Sequence, residues 1–366
     1  MSAKYGLVKH MSRFLSPRLA DLHAYVPGEQ PQDRQYIKLN TNESPYPPSP
    51  RTQSLAKQEL DNLHLYPDPD CSKLRGMIAN RYGVTAEQVI CANGSDDILS
   101  YLFQAFCDAQ HGVAFPDVTY GFYPVYAALY GIPYRTLALR QDFTVDPAAY
   151  AQLDCTILLA NPNAQTGLFL SLQDIAGIAA ANPDHLLAVD EAYVDFGGES
   201  AVELLPTYDN ILVIRTFSKS RSLAGGRLGF AIGSPDLILD LNQVKYSTNP
   251  YAVNRVTQAA GIGALADEEY YSACCQKIME TREQTRQKLL ALGMMVTASQ
   301  ANFLLVRSSV ISGQRLYMEL KERGILVRHF QDRRIQDWVR ITIGMPQQMD
   351  RLVLAVSEIL QQEEKQ

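Results

Sequence analysis

Several things are missing from this sequence, and each absence narrows its function. No uninterrupted apolar run approaches the length that crosses a bilayer, so no membrane span is expected. The six cysteines (Cys71, Cys91, Cys107, Cys155, Cys274 and Cys275) include no CxxC pair, and none has a histidine-rich neighbourhood. That disfavours a zinc site or a disulfide framework and fits buried thiols in a reducing compartment. No basic run is present, the net charge is -6 and the pI is near 5.6, which argues against nucleic acid as the main partner. The first residues, MSAKYGLVKHMSRFLSPRL, contain no apolar core of signal-peptide length, so the expected location is the cytoplasm. There is no internal repeat and no low-complexity tract. A dinucleotide fingerprint is missing as well, because the glycines of LAGGRLG have the wrong spacing for GxGxxG.

What is present fits a soluble globular protein, with 46% hydrophobic and 20% charged residues. A chain of 366 residues exceeds the usual single core, so two domains, or a large one with a small appendage, are expected. Up to about Arg51 the chain is polar and proline-rich, ending in TNESPYPPSPR, and reads as an extended arm. QSLAKQELDNL then reads as a helix, and YPDPD as a turn. From QVICANGS to RLGFAIG, short Val/Ile/Leu-rich runs alternate with helical stretches. This texture predicts an α/β fold with a mostly parallel sheet between helices. After Pro250 two helical stretches lead into the short runs MMVTAS, ANFLLVRSS, GILVRHF and WVRITIG and a terminal helix, which predicts a small α+β domain. The expected boundaries are an arm over 1–44 belonging to the small domain, a large domain over 45–250, and a linking helix with the small domain over 251–366.

In open α/β sheets ligands bind beyond the carboxyl ends of strands. Gly94, Ser95 and Asp96 follow one apolar run and open a helix, where backbone N–H groups suit a phosphate; an ordinary helix start explains them equally well. Asp190, Glu191 and Tyr193 end another run, and Asn161 and Asn163 sit in a loop after a third. Thr216, Ser218 and Lys219 end a fourth, with Arg227 across a glycine turn. Two hydroxyls and an arginine suit an anion, and a lysine beside them is a candidate Schiff-base nucleophile. Tyr120 offers a face for stacking on a flat ring, or packs as a helix-start tyrosine. A phosphate cradle, an amine, an acid and an aromatic face together match pyridoxal 5'-phosphate.

In this set of motifs the chain resembles the fold-type-I pyridoxal-phosphate aminotransferases, and among them the histidinol-phosphate aminotransferases. The likeness runs in order through LNTNESPYPPSP, NGSDDIL, TYGFY, NPNAQTG, VDEAYVDF, TFSKSRSLAGGRLGFAIG, ANFLLVR, GILVRHF and WVRITIG. It implies that Lys219 carries the cofactor and moves the proton. Asp190 would bind the pyridine nitrogen and Tyr193 the ring hydroxyl. Ser95, Asp96, Thr216, Ser218 and Arg227 would hold the phosphate, joined by Tyr66 from a neighbouring subunit, which makes a homodimer with shared sites part of the expectation. Arg328 and Arg340 would bind the substrate phosphate and the keto-acid carboxylate, with Tyr25 of the arm touching substrate. Without the resemblance, both arginines read as solvated strand residues.

The chain departs from the family twice. Where Asn-Pro-Thr-Gly is usual it has Ala164-Gln165-Thr166-Gly167, which leaves Asn163 as the expected substitute at the ring hydroxyl. Gly226 stands where a leucine is usual, which should loosen the turn. The implied reaction is transamination between L-glutamate and imidazole acetol phosphate, giving 2-oxoglutarate and L-histidinol phosphate. An aromatic or broad-specificity aminotransferase, or a phosphothreonine decarboxylase of similar fold, shares almost all of these motifs. A dinucleotide-dependent oxidoreductase and a non-catalytic binding module are the alternatives from other classes.

Overall fold

The apolar runs from QVICANGS to RLGFAIG become strands with no exposed face. Residues 12–363 are described by a computed structural model of the chain. The expectation about an export signal rests largely on residues 1–11, which lie outside the described residues, as do residues 364–366.

The arm contributes β1 (Ile37–Lys38), and then α1 (Pro50–Gln58) starts where Ser49 caps the Thr52 amide and Pro50 opens the first turn. There follow α2 (Ser72–Tyr82), β2 (Val89–Ala92), α3 (Ser95–Phe106), β3 (Val113–Pro116), α4 (Tyr123–Tyr130), β4 (Tyr134–Leu137), β5 (Thr156–Ala160), α5 (Leu172–Ala181), β6 (Leu187–Asp190), β7 (Ile211–Thr216) and β8 (Gly229–Ile232). The seven strands β2 to β8 form one sheet in the order β2-β8-β7-β6-β5-β3-β4. The ladders among β3 to β7 are parallel, and β8 runs antiparallel to both β2 and β7. Every residue of β7 is buried, with Leu212 and Ile214 in the core on one face and Ile211 and Val213 in the core on the other. Each such side chain contributes roughly 1.5–3 kcal/mol of burial.

Besides the two-residue β1 and the helix α2, the sequence reading passed over two further elements. β4 has exposed Tyr134, Arg135 and Thr136 and lies at the sheet edge, so it carries no apolar run. α6 (Pro235–Thr248) shows only its cap signal, Ser234 followed by Pro235, and buries just Ile238, Leu241 and Lys245.

α7 (Arg255–Leu265) and the 24-residue α8 (Glu268–Ala291) lead to β9 (Met295–Val296), β10 (Phe303–Arg307), α9 (Gly313–Glu322), β11 (Ile325–Leu326), β12 (Arg328–His329), β13 (Trp338–Thr342) and α10 (Pro346–Glu363). A four-stranded antiparallel sheet has the order β12-β13-β10-β9. The run GILVRHF therefore splits: Ile325 and Leu326 pair in parallel with Ile37 and Lys38, while Arg328 and His329 join β13. The arm is thereby threaded through this half of the molecule, since Leu39 N donates to Leu326 O (2.8 Å) and Thr342 N to Leu39 O (2.9 Å). One continuous core joins the two sheets, with Ile214, Phe303, Ile341 and Leu39 in the same cluster. All six cysteines are unpaired and buried. Among the described residues no helix is long and apolar enough to cross a membrane.

Candidate active site

Strands β5, β6 and β7 end side by side, with Ala160 in register with Asp190 and Asp190 with Ile214. This brings residues distant in sequence to one edge of the sheet. Asp190 is the last residue of β6 and is buried. Its Oδ2 accepts a hydrogen bond from the Tyr123 hydroxyl (2.9 Å), while its Oδ1 is buried with no partner. Burial pushes the carboxyl up to about 6, the charge of Asp96 adds to this, and the Tyr123 hydrogen bond opposes it.

Lys219 lies three positions past the end of β7. Its Nζ donates to the Thr41 carbonyl (3.2 Å) and stands 5.9 Å from the centroid of the Tyr193 ring. Burial lowers the amine to about 8; the positive charge of Arg340 lowers it further, and Glu43 and Asp96 work against this. The Tyr193 hydroxyl accepts from Asn42 Nδ2 (3.0 Å), and its ring meets Phe303 edge-on at 5.1 Å. Asn42 is itself locked, with φ 55°, its amide N–H donating to Thr342 Oγ1 (2.9 Å) and its Oδ1 accepting from the same hydroxyl (3.0 Å). The threaded arm thus supplies two of the contacts around the amine.

The start of α3 lies against the loop after β7. Gly94 has φ 90° and makes no side-chain cap, so the first amides of α3 are left to other acceptors. A Cβ on Gly94 would come within 2.6 Å of Arg227 Nη2, and one on Gly229 within 2.3 Å of Ser95 N. Arg227, at φ 52°, donates from Nη2 to Asp96 Oδ2 (2.9 Å), and the Tyr120 hydroxyl donates to Asp96 Oδ1 (3.0 Å). Thr216 Oγ1 donates to Ser218 Oγ (3.0 Å) and accepts from Ser218 N (3.1 Å). Asp96, Tyr120 and Arg227 thus meet at the start of α3, with Thr216 and Ser218 bonded to each other at the end of β7.

Arg340 reaches the site from β13. Its Nη1 donates to the carbonyl of Ala164 (2.8 Å) and to Gln165 Oε1 (3.0 Å), and its guanidinium lies 5.2 Å from the Phe303 ring and 5.4 Å from that of Phe330. Arg328, its register partner on β12, turns to the arm and donates to the carbonyls of Val26 (3.0 Å) and Pro27 (3.3 Å). Tyr25 stacks on Phe122 at 4.4 Å, with Tyr120 at 6.3 Å.

Three candidates stand apart. Both polar atoms of Asn163 are committed to their own surroundings: Nδ2 donates to Val118 O (2.8 Å), and Oδ1 accepts from the amides of Gln165 (2.9 Å) and Thr166 (3.0 Å). Glu191 points to the opposite face of the sheet, where it is buried against Arg215 (3.0 Å) and Ser200 (2.7 Å). A cavity of about 400 Å³ on that side, beside Arg81, Asp195 and Arg215, holds charges that are already paired. Tyr66 is 76% exposed, stacked on Tyr251 at 4.5 Å with its carbonyl held by Arg255 (2.9 Å). As for Gly226, its carbonyl accepts from Thr257 Oγ1 (2.7 Å), and a Cβ there would lie 3.3 Å from Leu223 O, so this turn is tight.

Sequence reasoning missed Tyr123, Asn42 and Gln165. Asn42 sits in the quoted LNTNES stretch, and asparagine's tolerance of positive φ was its one available signal.

The family described as "Aminotransferase class I and II" matches residues 34–356. A histidinol-phosphate aminotransferase of Chromohalobacter salexigens is 48% identical over 350 residues, covering 95% of this chain and 99% of that one. That of Syntrophus aciditrophicus is 49% identical over 346 residues, covering 93% and 96%. Among solved structures, the histidinol-phosphate aminotransferase of Sinorhizobium meliloti in complex with pyridoxal-5'-phosphate superposes with a TM-score of 0.87 at 23% identity, over 96% of this chain and 99% of that one, a likeness of fold. With nearly half of its residues shared along nearly its whole length, the chain belongs to the class I and II aminotransferases, within the histidinol-phosphate aminotransferase family.

Proposed function

We propose that the chain catalyses pyridoxal-phosphate-dependent transamination between L-glutamate and imidazole acetol phosphate, giving 2-oxoglutarate and L-histidinol phosphate, in histidine biosynthesis. The observation that carries the chemistry is a pairing at adjacent strand ends: an amine lowered to about 8, and a buried carboxylate with one oxygen lacking any partner. An unpartnered buried carboxylate oxygen is costly unless an N–H comes to it. The residues present therefore fit the cofactor. The substrate assignment rests on relatives that share nearly half of this sequence.

Bound here, the cofactor supplies an electron sink that acidifies the substrate Cα–H. Asp190 Oδ1 would accept the pyridinium N–H, with the Tyr123 bond to Oδ2 holding the carboxylate in place. Tyr193, positioned by Asn42, would meet the ring hydroxyl. Tyr120 would offer its face to the ring. The amides of Ser95 and Asp96, the hydroxyls of Thr216 and Ser218, and Arg227 would hold the phosphate, for which Arg227 would give up its bond to Asp96. Lys219 Nζ would anchor the cofactor and, once displaced from it by the incoming substrate amine, would be free to take the proton from the substrate Cα and return it at the other end of the transfer, so that one base serves both half-reactions. Arg340 receives the acid substrate's carboxylate. Arg328, released from the carbonyls of Val26 and Pro27, receives the substrate phosphate beside Tyr25. Tyr66 serves the partner subunit's site in a homodimer.

The test is a panel of amino donors assayed with 2-oxoglutarate. L-histidinol phosphate should give a kcat/KM at least about a hundredfold above those of tyrosine and phenylalanine. A preference for the aromatic amino acids would overturn the substrate assignment. Lys219→Ala should abolish turnover with every donor.

A further inference from the structure

We propose that Gln165 is a positioning residue that fixes the guanidinium of Arg340 for an acid substrate, where the family pattern has a proline. The proposal rests on the reading of Arg340 as the carboxylate-binding residue. Gln165 is 8% exposed, and its two polar atoms are divided between two tasks. Nε2 donates to the Thr119 carbonyl (3.0 Å), which anchors the amide. Oε1 accepts from Arg340 Nη1 (3.0 Å), and the Ala164 carbonyl takes the same nitrogen at 2.8 Å. Both hydrogens of Nη1 are thereby used. Arg340 Nε, in contrast, is buried with no partner. Phe303 and Phe330 hold the plane of the group.

A guanidinium spent at Nη1 and unpaired at Nε presents its Nε–Nη2 edge, whose parallel N–H bonds match the two oxygens of a carboxylate. A proline at 165 would offer no side-chain acceptor, and Ala164 has none to offer beyond its backbone. Gln165 supplies a neutral acceptor that orients the guanidinium without cancelling its charge. A carboxylate in the same place would orient it equally well but compete with the substrate.

The experiment uses the pyridoxal-phosphate-loaded enzyme with Gln165→Glu, Gln165→Met and Arg340→Met, probed by calorimetric titration with succinate, a dicarboxylate that cannot react, and by KM and kcat for 2-oxoglutarate. Gln165→Glu should raise the succinate Kd and the 2-oxoglutarate KM together by about tenfold or more at neutral pH, with kcat within about threefold of wild type. That loss should shrink as pH falls and the new carboxyl protonates. Gln165→Met, close in volume but lacking both hydrogen bonds, should raise the Kd several-fold with no such pH dependence, and it keeps the test open if the glutamate variant misfolds. If both Gln165 variants bind succinate as wild type does while Arg340→Met has lost it, the role of Gln165 is overturned and that of Arg340 stands. If Arg340→Met also binds normally, the reading of Arg340 falls as well.

Discussion

At the scale of single residues, the groups that stand out are those whose charge the fold makes expensive. Asp190 shows this most clearly. Its carboxyl is raised from 3.8 to about 6, because burial penalises the ionised form. Well below pH 3.8 the group is neutral in both folded and unfolded chains, and this cost vanishes. As pH rises from 3.8 through about 6 the unfolded chain loses the proton first, so folding loses stability, by about 3 kcal/mol once both states are ionised. Asp190→Asn should therefore stabilise the cofactor-free protein by a few degrees at pH 8 and by almost nothing at pH 3 or below, while abolishing turnover. Thermal melts across that range check it, and equal melting temperatures at pH 8 would contradict it. Lys219 and Asp190 were legible in the sequence because a charge directly after an apolar run is conspicuous. Their partners were not. Tyr123 meets Asp190 across 67 positions and Asn42 meets Tyr193 across 151, and nothing local marks either pairing. Asn163 was the expected amide on sequence grounds, but its Oδ1 is taken by the amides of its own loop and one Nδ2 hydrogen by the Val118 carbonyl.

Among the elements, the site depends on how closely α3 approaches the turn between β7 and β8. Gly229 makes that approach possible, since its hydrogen faces Ser95 N where a Cβ would lie at 2.3 Å, against backbone that cannot swing aside. Gly229→Ala should push the α3 start outward and weaken pyridoxal phosphate binding by about tenfold or more, with a smaller loss of thermal stability. Equilibrium dialysis of the cofactor measures this, and wild-type affinity would show that the α3 amides do not hold the phosphate. The central strands were readable because burial on both faces demands continuous Val, Ile and Leu. β4 escaped notice because an edge strand is spared that demand, and the split of GILVRHF between two sheets is decided by partners far away in the chain.

For the molecule as a whole, the threaded arm serves its own chain's site, and Tyr66 is proposed to serve a neighbour's. The arm brings Thr41 and Asn42 to the site from the same chain. Tyr66 stands at the surface with Leu60, Leu63 and Leu65 exposed beside it, an apolar edge suited to a second copy. If Tyr66 serves the neighbouring site, Lys219→Ala and Tyr66→Ala subunits should complement each other. Random mixing makes about half of the dimers mixed, each with one intact site, so activity should return to about a quarter of wild type. Refolding the two weak variants together tests this, and a mixture no more active than the better parent would place Tyr66 outside the partner's site. A homodimer was an expectation from family resemblance alone, since apolar surface by itself does not name its partner.

The central claim is that this one cluster of Lys219, Asp190, Tyr193 and the α3 amides runs a transamination on histidinol phosphate. The most direct measurement follows the visible absorbance of the purified protein loaded with pyridoxal phosphate. Stoichiometric L-histidinol phosphate should bleach the yellow band, and 2-oxoglutarate should then restore it, with neither change in Lys219→Ala. A band that ignores histidinol phosphate yet bleaches with tyrosine or phenylalanine at comparable concentration would contradict the account.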